Sequence, residues 1–198
     1  MSALPAREFT STHQYTYADY ATWPDYPRYE LINGEAIQMS APSRVHQKIS
    51  MALSIQIGTF LRGKKCEVLA APFDVRINYN TTDNTVVQPD LVVICDMAKI
   101  ENGKHCLGTP DMVIEILSES TRGYDKVRKF NVYLEAGVSE YWIVDPIERI
   151  VNVHILRDGN YFIKPYGDTD TIPVHVLEGC MVNLAEVFEV EAVAAEDV

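Results

Sequence analysis

Two acidic residues lie inside strongly apolar stretches of the sequence, where acids are rare. Asp90 follows Pro89 in VVQPDLVVIC, and Glu115 stands between two isoleucines in DMVIEILS. Charged side chains are seldom fully buried unless they are paired or bound to a metal. A purely structural role is open for each, because Asp90 can cap the start of a strand and Glu115 can pair with a basic residue. Together these carboxylates are the first candidates for chemistry.

The two acids would repel each other if their strands are neighbours in a sheet. Two unit negative charges about 4 Å apart repel by roughly 4 kcal/mol at an effective dielectric constant of about 20, so the pair needs a proton or a cation between its members. Magnesium suits hard oxygen ligands, keeps several of its waters and bridges to phosphate oxygens. The pair therefore predicts a site for Mg²⁺ or Mn²⁺ and chemistry on a phosphodiester.

A basic stripe follows shortly after the second acid. In TRGYDKVRKFNVYLEAG, Lys126, Lys129 and Tyr133 recur at helical spacing and can border the same site. The apolar residues of the segment are predicted to share another face of the helix: Val127, Phe130 and Leu134. Alternatively, the stripe is a solvated helix surface on which Asp125 pairs with Lys129.

Turn and periodicity signals predict the elements around these residues. Asn33-Gly34 favours a tight turn with two positive φ angles and predicts a β-hairpin over residues 28–39. A helix is predicted from Val45 to Arg62, and another from Asp125 to Ala136. Two shorter helices are also predicted: residues 16–23 and 183–188.

Segments rich in β-branched residues predict the sheet. They are CEVLAA, FDVRI, DLVVIC, MVIEIL and EYWIVD. LVVIC and MVIEIL lack the alternation of polar and apolar residues, which is typical of strands buried on both faces. We expect these two strands to be adjacent, with Asp90 and Glu115 on the same side of the sheet.

A second hairpin, around Asp158-Gly159, is predicted to extend the sheet outward. The expected fold is therefore α/β (α+β), with a mixed central β-sheet flanked by helices, an N-terminal β-hairpin and an outer hairpin.

The composition is that of an ordinary soluble domain. The chain has 198 residues, of which 47% are hydrophobic and 23% charged, and its formal net charge is −11. We expect a single domain over residues 14–188, with loose tails at 1–13 and 189–198. The acidic balance argues against indiscriminate coating of nucleic acid or of anionic membrane, so a nucleic-acid role needs a local basic patch.

The four cysteines show no spacing typical of a zinc site, and they are predicted to be reduced thiols, mostly buried in strands: Cys66, Cys95, Cys106 and Cys180. Arg7 and Glu8 interrupt the apolar stretch that a signal peptide would need, and no segment approaches the roughly 18 apolar residues of a membrane span. A cytoplasmic protein without a membrane partner is expected.

Three long blocks of the sequence carry a recognisable pattern: YELINGEAIQMSAPSRVHQKIS, QPDLVVICD and GTPDMVIEILSESTRGYDKVRKFNVYLEAGVSEYWIVDP. Together they resemble the Uma-two family of restriction-endonuclease-like proteins, which is placed in the PD-(D/E)XK nuclease superfamily. The resemblance extends from about Tyr15 to Tyr166 and is most specific from Pro110 to Pro146. It implies a mixed central sheet with helices on its faces and a magnesium site at one end.

The resemblance also implies roles for individual residues. Asp90 matches the metal-binding aspartate of the PD element, and Glu115 matches the acid of the (D/E)XK element. Leu117 stands where the superfamily has its strand lysine. In this family that role is implied for the helix lysine of D-x-x-x-K, which is Lys129, with Tyr133 four residues further on.

Two more residues match the family pattern and are expected at the edge of the same pocket. Glu30 of YELINGE is a candidate ligand of metal or water, and His46 of SRVHQ is a candidate phosphate contact. From the residues alone, a structural role is at least as well supported for each, because Glu30 lies on a hairpin strand and His46 lies in the first turn of a helix.

Three functions remain open at this point. The leading hypothesis is a metal-dependent endonuclease acting on DNA, in which Asp90 and Glu115 bind Mg²⁺ or Mn²⁺ and Lys129 neutralises developing charge. The first alternative is a nuclease fold without catalysis that binds nucleic acid or protein. The second is a nuclease for small or structured substrates, such as nucleotides or branched DNA.

Surface features predict a partner. Basic residues that could contact DNA cluster in two places: Arg122, Lys126, Arg128 and Lys129 within eight positions, and Arg44 and Lys48 at the start of another helix. Tyr141 and Trp142, together with the outer hairpin, predict an exposed sheet edge and hence a symmetric homodimer. The alternative is an edge covered within the monomer.

Overall fold

The computed structural model describes residues 13–101, 103–118 and 124–188. Residues 1–12 and 189–198 of the predicted tails, residue Arg122 and the side chain of Lys126 lie outside the described residues. The helices and strands follow one another in this order: α1 (Tyr17–Tyr20), β1 (Tyr29–Ile32), β2 (Glu35–Gln38), α2 (Arg44–Leu61), β3 (Glu67–Ala70), β4 (Asp74–Arg76), β5 (Val86–Val87), β6 (Leu91–Ile94), a 3₁₀ turn (Met97–Ile100), β7 (His105–Leu107), β8 (Met112–Ile116), α3 (Tyr124–Ala136), β9 (Glu140–Asp145), β10 (Ile150–Arg157), β11 (Asn160–Gly167), β12 (Thr171–Pro173), β13 (Met181–Asn183) and α4 (Leu184–Phe188).

The strands form two larger sheets and one small one, instead of a single central sheet. A six-stranded sheet has the order β11-β10-β9-β8-β6-β3, a five-stranded sheet has the order β2-β1-β5-β4-β7, and β12 pairs with β13. Both larger sheets are mixed, because β8 runs parallel to β9 and β4 runs parallel to β7. The fold is the predicted α+β class. The N-terminal hairpin belongs to the five-stranded sheet, since Leu31 pairs with Val86 of the short strand β5.

The central strands β6, β8 and β9 of the six-stranded sheet are buried on both faces, as the uninterrupted apolar runs predict. Leu91 and Ile114 pack into a hydrophobic cluster with α2 on one face of the sheet. Val92 and Val113 pack into a second cluster, with α3 and the five-stranded sheet, on the other face. The six-stranded sheet thus lies between α2 on one side and α3 with the second sheet on the other.

Helix α2 covers the first face through residues spaced by one turn. Ile49, Leu53 and Ile57 are buried at intervals of four, which is the apolar stripe expected of an amphipathic helix. Ser43 is its N-cap, and the side-chain oxygen of Ser43 accepts a hydrogen bond from the backbone N–H of His46 at 3.2 Å. The predicted helix is confirmed to within one residue at each end.

Helix α3 turns a different face inward from the one predicted. Val127 was expected on the apolar face but is 62% exposed, whereas Tyr133 of the basic stripe is fully buried. The reason is that Lys129 and Tyr133 both bond to Glu115 of β8, and these bonds orient the helix.

Both predicted hairpins are confirmed with the expected turn geometry. Asn33 and Gly34 have φ angles of 49° and 81°, and Asp158 and Gly159 have φ angles of 49° and 76°. The last short helix is also present, as α4.

The prediction of four reduced thiols is wrong for two cysteines. Cys66 and Cys95 form a disulfide. Glu67 pairs with Ile94 in β3 and β6, so these two cysteines are the next facing pair at the end of the strands. A separation of 29 residues in sequence gave no sign of this contact. Cys106 and Cys180 are free and buried.

The prediction of an exposed aromatic edge is also wrong. Tyr141 and Trp142 are buried, because β9 lies inside the sheet between β8 and β10. The outer hairpin supplies the edge strand instead, which is β11. Over the part of the chain that the structure describes, no helix is long and apolar enough to cross a membrane.

Candidate active site

Asp90 and Glu115 face each other at the ends of two neighbouring strands. Leu91 pairs with Ile114 in antiparallel register, so Asp90, one residue earlier, lies opposite Glu115. The Oδ2 atom of Asp90 accepts a hydrogen bond from the backbone N–H of Ile116 at 2.7 Å. Both acids line one cavity of about 490 Å³. The predicted adjacency of the two strands is confirmed, and the two carboxylates share one cavity.

Lys129 lies between two buried carboxylates. Its Nζ atom is 3.0 Å from both oxygens of Glu115 and 2.9 Å from Oε1 of Glu30. Glu30 belongs to β1 of the five-stranded sheet and is only 3% exposed, so it is not the surface acid that a hairpin position favoured. The same Oε1 accepts the backbone N–H of Gln88 at 2.7 Å. One ammonium group therefore compensates acids from two different sheets.

Tyr133 fixes the orientation of the Glu115 carboxylate. Its hydroxyl donates a hydrogen bond to Oε1 of Glu115 at 2.6 Å, one helical turn beyond Lys129. Burial, together with the charge of Glu115, raises the pKa of the Tyr133 phenol well above its ordinary value. The hydroxyl therefore remains protonated and acts as a donor.

His46 pairs with Asp90 from the first turn of α2. Its Nε2 atom lies 3.1 Å from Oδ2 of Asp90. Burial lowers the pKa of the His46 imidazole, but the hydrogen bond to Asp90 and the charges of Asp90 and Glu115 outweigh it, so the net pKa is raised. Its Nδ1 atom is buried and has no hydrogen-bond partner among the described residues. The structure thus places His46 directly on a candidate metal ligand.

Burial and neighbouring charges shift the pKa values of Glu115 and Lys129 in the cavity. Burial raises the pKa of the Glu115 carboxyl, the ammonium of Lys129 lowers it, and the charges of Asp90 and Glu30 raise it further. Burial lowers the pKa of Lys129, but the attraction of Glu115 and Glu30 outweighs it, so that pKa is raised. Lys129 pairs with Glu30 and Glu115, His46 pairs with Asp90, and Arg28 also lines the cavity.

Gln88 is a site residue that sequence reasoning missed. It lines the same cavity, and its Nε2 atom donates to the Tyr20 hydroxyl at 3.0 Å and to Oδ1 of Asp74 at 2.9 Å. Because a carboxylate can only accept, these bonds fix the direction of the amide. Its Oε1 atom is buried without a donor among the described residues. The available signal was a polar residue next to Pro89 in an otherwise apolar run.

Two side chains of the cavity have an oxygen that could bind a cation. Both contacts of Asp90 use Oδ2, and the Oε1 atom of Gln88 lacks a donor in the described part of the chain, so each side chain offers an uncommitted oxygen. Both oxygens of Glu115 bond to Lys129. Magnesium is commonly held by one or two carboxylates and keeps several waters. The described residues contain no group of three or more His, Cys, Asp or Glu side chains placed to hold a metal ion.

Comparison with known proteins places the chain in a family. A family model named Uma2, with the description "Putative restriction endonuclease", matches residues 17–185. The chain belongs to the Uma2 family. This is the family named above as Uma-two, and the resemblance is confirmed.

Two relatives of this Uma2 chain come from the cyanobacterium Synechocystis sp. The uncharacterized protein slr1290 is 28% identical over 158 residues, which cover 78% of this chain and 81% of that protein. The uncharacterized protein sll1609 is 27% identical over 118 residues, which cover 59% of this chain and 65% of that protein.

A solved structure confirms the fold of this Uma2 chain. A crystal structure described as a "putative nuclease belonging to DUF820" from Anabaena variabilis superposes with a TM-score of 0.73 at 19% identity, and the match covers 88% of this chain and 98% of that one. The fold is therefore shared with that protein, and the family to which this chain belongs is the one described as restriction-endonuclease-like.

Proposed function

We propose that this Uma2 protein is a metal-dependent endodeoxyribonuclease of the PD-(D/E)XK type, which hydrolyses phosphodiester bonds in DNA with Mg²⁺ or Mn²⁺. The observation that supports it most is the meeting of Asp90 and Glu115 in one cavity, with the Lys129 ammonium 3.0 Å from both oxygens of Glu115. Paired carboxylates with an adjacent cation match the needs of phosphodiester hydrolysis, which are a metal site and stabilisation of negative charge.

Asp90 and Glu115 would hold the metal. When bound there, the ion supplies Lewis-acid polarisation of the scissile phosphate and lowers the pKa of a water. The Ile116 N–H orients Asp90 and the Tyr133 hydroxyl orients Glu115, so both carboxylates are positioned before any ligand arrives. Preorganised groups lose little energy to rearrangement during the reaction.

Lys129 would provide the positive charge that the superfamily places on a strand. Leu117, at that strand position, is buried and offers no charge. The Nζ atom of Lys129 reaches the same carboxylate from α3, and in the proposed reaction it contacts the phosphate oxygens as their negative charge grows. Glu30 holds Lys129 from the opposite side, and His46 holds Asp90. Both act as positioning residues in this proposal.

A specific observation favours the second candidate function, a catalytically inactive binding module. Lys129 and His46 already compensate most of the acidic charge in the cavity, so the fold has no strict need for a metal there. The net charge of −11 is also unlike the basic footprint of most proteins that bind long duplex DNA.

A nicking assay separates the two functions. Purified protein is incubated with supercoiled plasmid and Mg²⁺ or Mn²⁺, and relaxed and linear products are quantified. Glu115→Gln should lower the rate by about a hundredfold or more, as the loss of a key electrostatic group does. Glu148→Gln removes the same charge from an exposed position and should leave the rate unchanged. If the wild type and both variants show the same trace cleavage, the binding-module function replaces the nuclease function.

A further inference from the structure

Two of the three carboxylates at the cavity are buried. Glu30 and Glu115 are 3% and 9% exposed, Asp90 is half-buried, and all three line the cavity of about 490 Å³. Cavities that enclose a single small molecule typically measure roughly 300–1,000 Å³. One nucleotide is a ligand of this size. The cavity is open to solvent on one side, so a preference for an unpaired nucleotide depends on its apolar lining.

The cavity has an apolar wall opposite its charged groups. This wall comes from the connection between β2 and α2 and from the turn after β3, and its residues are Met39, Ala41, Pro42, Ala71 and Pro72. Apolar side chains can cover the face of a base once that base is unstacked. A base must be unpaired or extruded before such a surface can cover its face.

Arg28 is a cation at the same cavity that has no acidic partner. It lines this cavity and a smaller adjoining one, two residues before Glu30. Some arginines of the described chain are paired, such as Arg76 with Asp83 and Arg128 with Glu35. Within the described residues, no carboxylate pairs with Arg28. The planar guanidinium of an arginine matches the oxygens of a phosphate. A guanidinium without an acidic partner at this cavity therefore favours a phosphate ligand.

The N-terminal end of α2 points to the same kind of ligand. Pro42, His46 and Gln47 line the cavity, and the first turn of this 18-residue helix has no acidic residue. The backbone N–H groups of His46 and Gln47 both bond to Ser43, so only the positive end of the helix dipole acts on a ligand here. This end therefore adds only a small attraction for phosphate beside Arg28.

We infer that the cavity takes one unpaired nucleotide of single-stranded DNA, with the base against the apolar wall and Arg28 on a phosphate next to the one that is cleaved. The inference rests on the proposed nuclease function and assigns its substrate class. It places single-stranded DNA, or the single-stranded part of a structured DNA, ahead of continuous duplex.

Binding is measured first, because it does not depend on catalysis. Fluorescence anisotropy compares a labelled single strand with a blunt duplex of the same sequence, in Ca²⁺ and at one fixed salt concentration. The wild type should bind the single strand about tenfold or more tightly than the duplex, and Arg28→Ala should weaken single-strand binding by about tenfold, as loss of a charged hydrogen bond does. Arg28→Lys keeps the charge but not the planar guanidinium. Its affinity for the single strand should lie between those of the wild type and Arg28→Ala.

Arg62→Ala is the matched control. Like Arg28→Ala, it removes one arginine side chain. Arg62 is exposed and lies at the C-terminal end of α2, about 27 Å along the helix axis from the N-terminal end that lines the cavity. Its affinity for the single strand should equal that of the wild type. Equal effects of Arg28→Ala and Arg62→Ala, or equal affinity of the wild type for duplex and single strand, would overturn the inference.

Cleavage of the same two DNAs then separates the inference from the proposed function. Faster cutting of the single strand supports both. Faster cutting of continuous duplex overturns the substrate class while the nuclease function stands. If neither DNA is cut, but the single strand binds more tightly and depends on Arg28, the nucleotide site stands and the nuclease function fails.

Discussion

The electrostatics of the candidate site depend on a single residue, Lys129. Its ammonium is nearly enclosed and bonds to Glu30 and Glu115 at once. Without it, these two buried carboxylates would lose the one ammonium group that bonds to both of them. Such a pair must either take up a proton or attract another cation.

Lys129→Ala should therefore change stability and activity in separable ways. Removing one partner of a buried ion pair typically lowers the free energy of unfolding by about 3–5 kcal/mol, and the loss should shrink at acidic pH as the carboxyls become protonated. Cleavage should fall by about a hundredfold, because one preorganised contact to the phosphate is gone. Urea unfolding measures the first effect and plasmid nicking the second.

The variant should still bind Mn²⁺ in a calorimetric titration, because Asp90 and Glu115 are intact. Wild-type cleavage by a folded Lys129→Ala protein would contradict the role given to this lysine.

Glu140 is a second buried acid, away from the cavity. Its carboxylate accepts hydrogen bonds from Nε1 of Trp142 at 2.7 Å and from the backbone N–H of Val176 at 2.9 Å. Burial raises its pKa from 4.5 to about 7, although these donors oppose the rise. The folded protein thus retains a proton that the unfolded chain releases between these two values.

Stability should consequently fall as the pH rises from about 4.5 to about 7, and level off above that range, by up to about 3 kcal/mol from this group. Glu140→Gln cannot ionise, so the difference in unfolding free energy between wild type and variant should follow this window. Urea denaturation at a series of pH values measures it. A difference that does not vary with pH would mean that the carboxyl is already ionised in the folded protein at acidic pH.

At the scale of elements, local signals were sufficient for much of the fold. Each of these signals involves only residues that are close together in sequence. They are the Asn33-Gly34 turn, the four-residue spacing of Ile49, Leu53 and Ile57, and the apolar runs before Cys95 and around Ile114. The facing position of Asp90 and Glu115 followed from two such strands being neighbours.

The remainder depended on contacts that no local pattern reveals. The two-residue strand β5 brings Gln88 beside Glu30, and such a short strand carries no periodicity. The inward face of α3 was misjudged at Val127 because bonds from Lys129 to Glu115 outweigh the burial of one valine. The disulfide was missed because its cysteines meet only after β3 and β6 pair.

The disulfide between β3 and β6 gives a prediction at this scale. It closes a loop with a sequence separation of 29 residues. A constraint of this length restricts the unfolded chain and stabilises the fold by about 3.6 kcal/mol. Cys66→Ser should lower the unfolding free energy by about that amount, and Cys106→Ser, which changes a free thiol, serves as the control.

Peptide mapping without reductant, on protein purified from the cytoplasm of an expression host, tests whether the bond forms. Disulfides are uncommon in the cytoplasm, which is the location expected from the sequence. Full alkylation of Cys66 and Cys95 before unfolding would show that the bond is absent there.

At the scale of the whole molecule, the two larger sheets share one site. Glu30 comes from the five-stranded sheet, Glu115 from the six-stranded sheet, and Lys129 holds them together. A ligand that binds in this cavity stabilises the folded state as a whole, because the unfolded chain has no such site.

Mg²⁺ or Mn²⁺ should accordingly raise the melting temperature of the wild type. A ligand at one hundred times its dissociation constant stabilises the native state by about 2.7 kcal/mol. Asp90→Asn should reduce this metal-induced rise in melting temperature. Asp158→Asn, at the turn of the outer hairpin, should show the same rise as the wild type. Differential scanning fluorimetry over a series of metal concentrations makes the comparison. An undiminished shift in Asp90→Asn would place the metal elsewhere.

The homodimer remains a prediction, now located on a different strand. The edge strand β11 leaves one side of its backbone unpaired within the described sheet, and its Phe162 and Ile163 are each 56% exposed. Sedimentation equilibrium should show a dimer that Phe162→Lys converts to a monomer. A monomeric wild type would contradict the prediction.

The order in which the charges lie along the chain has a consequence for protein synthesis. Glu30, His46 and Asp90 leave the ribosome first, and Lys129, which bonds to Glu30 and Glu115, follows last. A nascent chain that ends before Lys129 lacks the ammonium group that bonds to both Glu30 and Glu115. The complete charge arrangement therefore exists only once α3 has been made and packed, which delays any reactivity of the site until the fold that encloses it is nearly finished.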